Sequence, residues 1–204
     1  MSEENDKTLI SYARHLQKYI DGTPQQVSGG VKNWIDAAVC ELPVSSKILE
    51  LGSAFGRDAA YLLSKGYKIE CTDATEKFVS YLIDRGFDAR SYNMITDTLP
   101  DFYDLIFANA VLLHLKRNEL PLVVSKMHSS LKNGGRFAFS LKKGQGEVWS
   151  NEKLNAPRFF CYWGCTEIED ILAATGFDHW TIDEDSSGHG SAEWLHIIAH
   201  KKPF

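Results

Sequence analysis

At 204 residues the chain fits a single domain, large enough to bury about 70% of the surface its unfolded form exposes and so to fold without disulfides or a metal. Apolar residues at 44% and charged residues at 24% are ordinary globular proportions, which exclude long disorder and fibrous repeats. The 22 basic residues against 27 acidic ones leave a net charge of −5, a field that repels a polyphosphate and argues against nucleic acid as partner.

Cys40, Cys71, Cys161 and Cys165 form no CxxC pair and have no nearby histidine set, so we expect free thiols in a reducing cytosol and no metal. The amino-terminal MSEENDK is acidic and unlike a signal peptide. The most apolar stretch, residues 105–115, is far too short to span a bilayer and is interrupted by Asn109 and His114. The expectation is a cytoplasmic protein with no membrane partner.

Residues 1–43 read as an N-terminal helical lid. Leu9, Ile10, Tyr12, Ala13, Leu16, Tyr19 and Ile20 recur at helical spacing and predict one helix, stopped by Asp21-Gly22-Thr23-Pro24. Ser28 stands where it would cap a second helix, with Val31, Trp34, Ile35, Ala38 and Val39 on its apolar face. From residue 44 strands and helices alternate. Strands are expected over 47–51, 67–72, 87–92, 103–108 and 136–141, with helices over 58–64, 75–85 and 119–131, the last closed by Asn133-Gly134-Gly135. A helix over 166–175 and strands over 178–182 and 194–200 complete the chain. The polar run 183–190 between these strands is too short for a helical crossover, so they pair antiparallel at the sheet's edge. The pattern implies an α/β fold with a doubly wound, mostly parallel sheet.

The informative segment is Glu50-Leu51-Gly52-Ser53-Ala54-Phe55-Gly56-Arg57-Asp58, in which an acid ends a strand, small residues turn, and a helix begins. Ligands of open α/β sheets lie beyond the carboxyl ends of the strands, where backbone N–H groups and a helix N-terminus converge. A second acid, Asp73, ends the next strand, where a carboxylate can accept two bonds from a ribose diol. The two acids flanking one turn point to a nucleoside-bearing ligand.

Glu50-x-Gly52-x-Ala54-x-Gly56 resembles motif I of the class I S-adenosylmethionine-dependent methyltransferases, and the likeness extends over most of the chain, 1–204, as one domain with a core over 44–204. It implies a Rossmann-like sheet of seven strands with an antiparallel last strand. It also implies that Gly52, Ser53, Ala54 and Gly56 line the methionine part of S-adenosylmethionine, and that Glu50 holds the loop and the amino group. Asp73 with Ala74 would take the ribose, Asn93-Met94 the adenine, and Asn109-Ala110-Val111, resembling motif IV, the meeting point of cofactor and acceptor. Arg57 would pair the cofactor carboxylate or stay solvated. Two residues depart from the usual pattern. Asn93 stands in place of the commoner Asp, and Ala54 in place of the middle glycine, a change that is tolerable if its φ is negative. A dinucleotide dehydrogenase would need its third glycine at position 57, where this chain has Arg57.

Methyl transfer from a sulfonium is an in-line displacement that asks the protein for alignment and a dry site, with a base only when the nucleophile arrives protonated. His114 is the candidate base; its plainer role is a structural histidine capping the next helix. Aromatic residues with Lys142 and Arg158, including Tyr162 and Trp163, suit a planar or anionic small acceptor, or else fill a gap in the core. Tyr12 and Tyr19 would cover the cofactor, unless they only pack. The function expected is methylation of a small molecule at O, N or C by a monomer or homodimer, with S-adenosylhomocysteine as coproduct. A protein or peptide acceptor, a non-catalytic cofactor-binding regulator, and transfer of another group from a decarboxylated cofactor are the alternatives.

Overall fold

The computed structural model describes residues 2–185 and 193–203. Helix α1 (Glu3–Arg14) starts at Ser2, whose hydroxyl accepts the Asn5 N–H at 3.4 Å, and its first turn carries Glu3, Glu4 and Asp6 at the positive end of the helix dipole. The single helix expected over 9–20 is instead two. α1 stops at His15 (φ −121°, ψ 31°), and α2 (Leu16–Asp21) restarts beyond it. Nor is the apolar stripe the buried face of α1. Asn5, Thr8 and Ser11 are buried, while Ile10 is 48% exposed. The reason lies in what the helix touches: Ser11 Oγ donates to the Pro157 carbonyl at 2.6 Å, and the Phe159 N–H donates to Thr8 Oγ1 at 3.1 Å. A helix docked on another segment's backbone buries polar side chains that satisfy it.

Helix α3 (Gly29–Ala38) follows Ser28, whose side chain makes no capping bond. It packs beneath the sheet through Trp34, Ile35 and Ala38, and Trp34 Nε1 donates to the Ile197 carbonyl at 3.2 Å. The N-terminal segment therefore divides, α1 and α2 on one side and α3 in the core.

The remaining elements are β1 (Lys47–Leu51), α4 (Arg57–Ser64), β2 (Lys68–Asp73), α5 (Glu76–Ile83), β3 (Ala89–Ser91), β4 (Tyr103–Ala108), α6 (Leu120–Ser129), β5 (Leu131–Lys142), β6 (Glu147–Ser150), β7 (Arg158–Cys161), α7 (Cys165–Ala174), β8 (His179–Asp185) and β9 (Trp194–His200). Seven strands form one sheet in the order β3-β2-β1-β4-β5-β9-β8, all parallel except β9, which runs antiparallel to both β5 and β8. This is the doubly wound, mostly parallel Rossmann-like sheet anticipated from the alternating elements. Alternate residues of β4 feed opposite layers: Leu105 and Phe107 pack with Trp34 and Leu62, while Ile106 and Ala108 pack with Val124, Met127 and Leu172.

Two features depart from expectation. β5 begins at Leu131, so Asn133-Gly134-Gly135 lies inside the strand rather than closing the preceding helix. Its register with β4 shifts between Tyr103 and Leu105, and a Cβ on Gly135 would stand 2.8 Å from the Lys132 carbonyl oxygen. The glycines serve a bulge with close backbone approach. Secondly, β6 and β7 form a separate antiparallel ribbon in the stretch read only as irregular and aromatic-rich. Of the polar run 183–190, residues 183–185 belong to β8 and 186–190 lie outside the described residues.

Candidate functional site

The carboxyl ends of β1, β2 and β4 meet α1 and α2 around a cavity. The strand ends contribute Gly52 and Ala54, then Asp73, Ala74 and Thr75, then Asn93 and Met94, then Asn109, Ala110 and Val111. The helices contribute Asn5, Thr8, Leu9, Tyr12 and Tyr19, and His114 closes the far wall with Leu115.

Close packing, not only ligand access, fixes the turn after β1. Gly52 has φ +65°, and a Cβ there would fall 2.5 Å from Val111 Cγ2, so the ends of β1 and β4 can meet only over a glycine. Gly56 has φ +85° and faces Phe87 and Leu82, with a Cβ position 2.8 Å from Phe87 Cζ; it seats α4 rather than lining the cavity. Ser53 is likewise behind the wall, its N–H donating to the Thr72 carbonyl at 2.9 Å and its Oγ accepting the Thr72 N–H at 3.2 Å. Ala54 corrects the condition set on it: its φ is +49°, not negative. The left-handed turn aims its N–H at Asp73 Oδ2, 3.0 Å away, and Ala54 carries the steric cost that a glycine would avoid.

Asp73 is anchored at both oxygens, Oδ2 accepting Ala54 N–H and Oδ1 accepting Thr75 N–H at 2.8 Å. Each oxygen keeps a second lone pair. Burial raises its pKa to about 6 in spite of those bonds. Glu50 is buried behind the turn, and burial together with the neighbouring Asp58 charge raises it to about 8. Arg57 does not face the cavity. Its Nε donates to Asp58 Oδ1 at 2.6 Å and a terminal nitrogen to Oδ2 at 3.2 Å. Asp58 Oδ2 also accepts Asn109 Nδ2 at 2.7 Å, and Ser140 Oγ bridges Asn109 Oδ1 and the Ala110 N–H at 2.8 Å each. This chain of bonds fixes the end of β4. Ala110 too is left-handed, with φ +54°.

His114 is 8% exposed, and its Nδ1 lies 2.5 Å from the Phe159 carbonyl. Only an N–H can donate to a carbonyl, so in the neutral ring Nε2 is the acceptor, and it receives the Tyr12 hydroxyl at 2.8 Å. Burial pushes the His114 pKa down to about 3, so the ring is neutral. It caps no helix; its bonds join α1 to β7. Tyr12 and Tyr19 meet edge to face, ring centres 5.2 Å apart, and both touch Phe78.

The other acceptor residues are not brought to the wall. Arg158 stands behind Tyr12 and donates to its hydroxyl at 3.3 Å, and Lys142 rests on Phe160. Trp163 is buried in the core beneath Arg117, and Tyr162 packs against Gly144. Among the described residues no group of His, Cys, Asp or Glu is placed to hold a metal ion, and no helix is long and apolar enough to cross a membrane. Asn5, Thr8, Leu9, Thr75, Phe78 and Leu115 line the cavity without having been singled out. Thr75 was within reach of the strand-end rule that found Asp73; Asn5 and Thr8, polar residues on a terminal helix, carried no signal.

A family model described as "Tellurite resistance protein TehB" matches residues 29–142, more than half of the chain. The chain is 27% identical over 95 residues to hemagglutinin 1 of Eikenella corrodens, covering 44% of this chain and 32% of that protein. It is 26% identical over 107 residues to a probable S-adenosyl-L-methionine-dependent methyltransferase TehB of Haemophilus influenzae, covering 50% of this chain and 37% of the relative. The match thus spans about a third of each curated relative. In fold it is similar to 1,6-didemethyltoxoflavin-N1-methyltransferase of Burkholderia thailandensis, solved with 1,6-didemethyltoxoflavin and S-adenosylhomocysteine. That similarity has a TM-score of 0.74 at 17% identity and covers 99% of this chain and 92% of the other.

Proposed function

Because this chain belongs to the TehB family, we propose that it binds S-adenosylmethionine in the cavity and transfers its methyl group to a small-molecule acceptor. The observation that carries this reading is Asp73: a buried carboxylate at the end of β2 that lines the cavity, held by two backbone N–H groups of the surrounding turns. The chemistry of the wall fits the cofactor, with lone pairs of Asp73 for ribose hydroxyls. Asn93 and Met94 bound the place for a flat base. Bound there, S-adenosylmethionine supplies an electrophilic methyl on a positively charged sulfur.

The chain's own residues then exclude water and manage one proton. α1 and α2 cover the cavity as a lid, with Tyr12 and Tyr19 on its inner face. A nucleophile that arrives protonated donates to the Tyr12 oxygen, and the neutral His114 ring, in the tautomer set by the Phe159 carbonyl, holds the Tyr12 proton at Nε2 and so orients that oxygen. Alignment and desolvation do the rest. The B. thailandensis neighbour, which was solved with 1,6-didemethyltoxoflavin, supports a small acceptor.

The test is transfer from methyl-labelled S-adenosylmethionine into a cell extract split into small-molecule and protein fractions. Label is expected in the small-molecule fraction. Label confined to protein would overturn the acceptor class, and label in neither would overturn catalysis.

A further inference from the structure

Beside the cavity a guanidinium and an ammonium share one aromatic ring, and among the described residues neither belongs to an ion pair. Arg158 is 6% exposed and its guanidinium lies 5.0 Å from the centre of the Phe160 ring; Lys142 Nζ lies 4.4 Å from the same ring. Arg158 donates to two uncharged oxygens, the Tyr12 hydroxyl at 3.3 Å and the Glu152 carbonyl at 2.7 Å, and its buried Nε has no partner among the described residues. Among the described residues Lys142 Nζ rests on the Phe160 ring, with Tyr162 and Trp194 at 5.9 and 6.0 Å. A third cation, Lys153, sits 4.3 Å over Tyr19. None of the ion pairs among the described residues includes any of the three.

Charges withdrawn from water without a counter-ion are costly, and like charges gathered together are costlier still. Burial and the Arg158 charge together hold the Lys142 ammonium below its ordinary pKa, and the Glu152 charge offsets them only in part. The cluster adjoins the reaction space. Arg158 bonds to Tyr12, Tyr12 bonds to His114, and the Phe160 ring centre is 4.8 Å from that of His114. Lys142 ends β5, two residues past the Ser140 hydroxyl that anchors the end of β4.

We propose that Arg158 and Lys142 are the subsite for a negatively charged group on the methyl acceptor, a small organic carboxylate or phosphate ester carried on a flat ring. The anion supplies the missing counter-charge, and the ring lies against the aromatic surfaces on which the cations rest, which a bare inorganic anion would leave without contact. The inference rests on the methyl-transfer reading only for the role of acceptor; the anion site itself does not.

The experiment is thermal unfolding of the full chain saturated with S-adenosylhomocysteine, with benzoate, phenyl phosphate, inorganic phosphate or benzamide added. Benzoate or phenyl phosphate should raise Tm by a few degrees beyond the nucleoside alone, their ranking distinguishing carboxylate from phosphate ester. Benzamide should add nothing and inorganic phosphate less. Arg158→Gln and Lys142→Met should each remove the increment and leave the S-adenosylhomocysteine shift intact; Lys142, half-buried at a strand end, carries the test should Arg158→Gln unfold. Equal stabilisation by benzamide, or an increment that survives Lys142→Met, would overturn the proposal. So would loss of the nucleoside shift in Lys142→Met, which would assign the cations to the cofactor's own carboxylate. Inorganic phosphate matching the ring-bearing anions would overturn the flat acceptor. An anion shift that needs Lys142 in a protein that ignores S-adenosylhomocysteine would sustain the anion site and overturn methyl transfer.

Discussion

Replacing Asp73 with alanine removes a side chain that joins the turn after β1 to the turn after β2. In the folded protein its oxygens accept Ala54 N–H at 3.0 Å and Thr75 N–H at 2.8 Å, which leaves lone pairs for the hydroxyls of a bound ribose. A hydrogen bond to a charged acceptor contributes about 1.5–3 kcal/mol, so the variant should bind S-adenosylhomocysteine roughly 10- to 150-fold more weakly. Calorimetric titration at pH 8, with circular dichroism as the check on folding, measures this where the wild-type carboxylate, with its pKa raised to about 6, is ionised. The pH profile adds a second reading. Below about pH 6 the unliganded Asp73 holds a proton that hydroxyl donors must displace, so wild-type affinity should fall as pH drops from 7 to 5, by up to about tenfold more than in Asp73→Ala. Equal affinity at pH 8, or parallel profiles, would refute the ribose assignment.

Further predictions concern the turn and the proton path. Ala54→Gly should relieve a left-handed alanine worth about 1–2 kcal/mol against a glycine entropy cost of about 0.5–1 kcal/mol, a net gain of about 0.5–1 kcal/mol and a Tm higher by about 1–3 °C; a lower Tm would contradict the strain. Gly52→Ala should destabilise by about 2–3 kcal/mol through contact with Val111, and Val111→Ala in the same chain should restore part of it, as urea denaturation would report. Tyr12→Phe should lower turnover about 10- to 100-fold while S-adenosylhomocysteine affinity stays within about threefold; unchanged turnover would remove the tyrosine from the proton path. Glu50 has a folded pKa of about 8, above its unfolded value, so the fold favours its protonated form and unliganded stability should fall as pH rises from 6.5 to 8. Glu50→Gln should flatten that decline, and a decline unchanged in the variant would place the titration elsewhere.

The parts of the fold legible in the sequence were those fixed by strong local signals. Strand runs such as 103–108 are apolar on both sides because both faces are covered, and Gly52, Asp73 and Asn109 sit where strands must end. What was missed depended on partners distant in sequence. The polar face of α1 is buried only because β7 offers it backbone groups, and β6–β7 exists as a ribbon whose hydrophobic alternation is weak. The glycines at 134 and 135 look like a helix stop until β4 is placed beside them. Within the site the strand-end residues were readable, whereas Asn5 and Thr8 enter through the docking of a helix. Arg57 was drawn away by its neighbour Asp58, a competition that spacing does not encode.

Occupation of the cavity at the ends of β1, β2 and β4 by a sulfur nucleoside is read out by thermal unfolding of the wild-type chain with S-adenosylmethionine, S-adenosylhomocysteine and NAD, each in turn. Ligand at about 100 times its Kd adds roughly 2.7 kcal/mol, a rise of several degrees at this chain length. That rise is expected with both sulfur nucleosides and not with NAD; a rise with NAD alone, or with none of the three, would rule out S-adenosylmethionine as the ligand of this cavity.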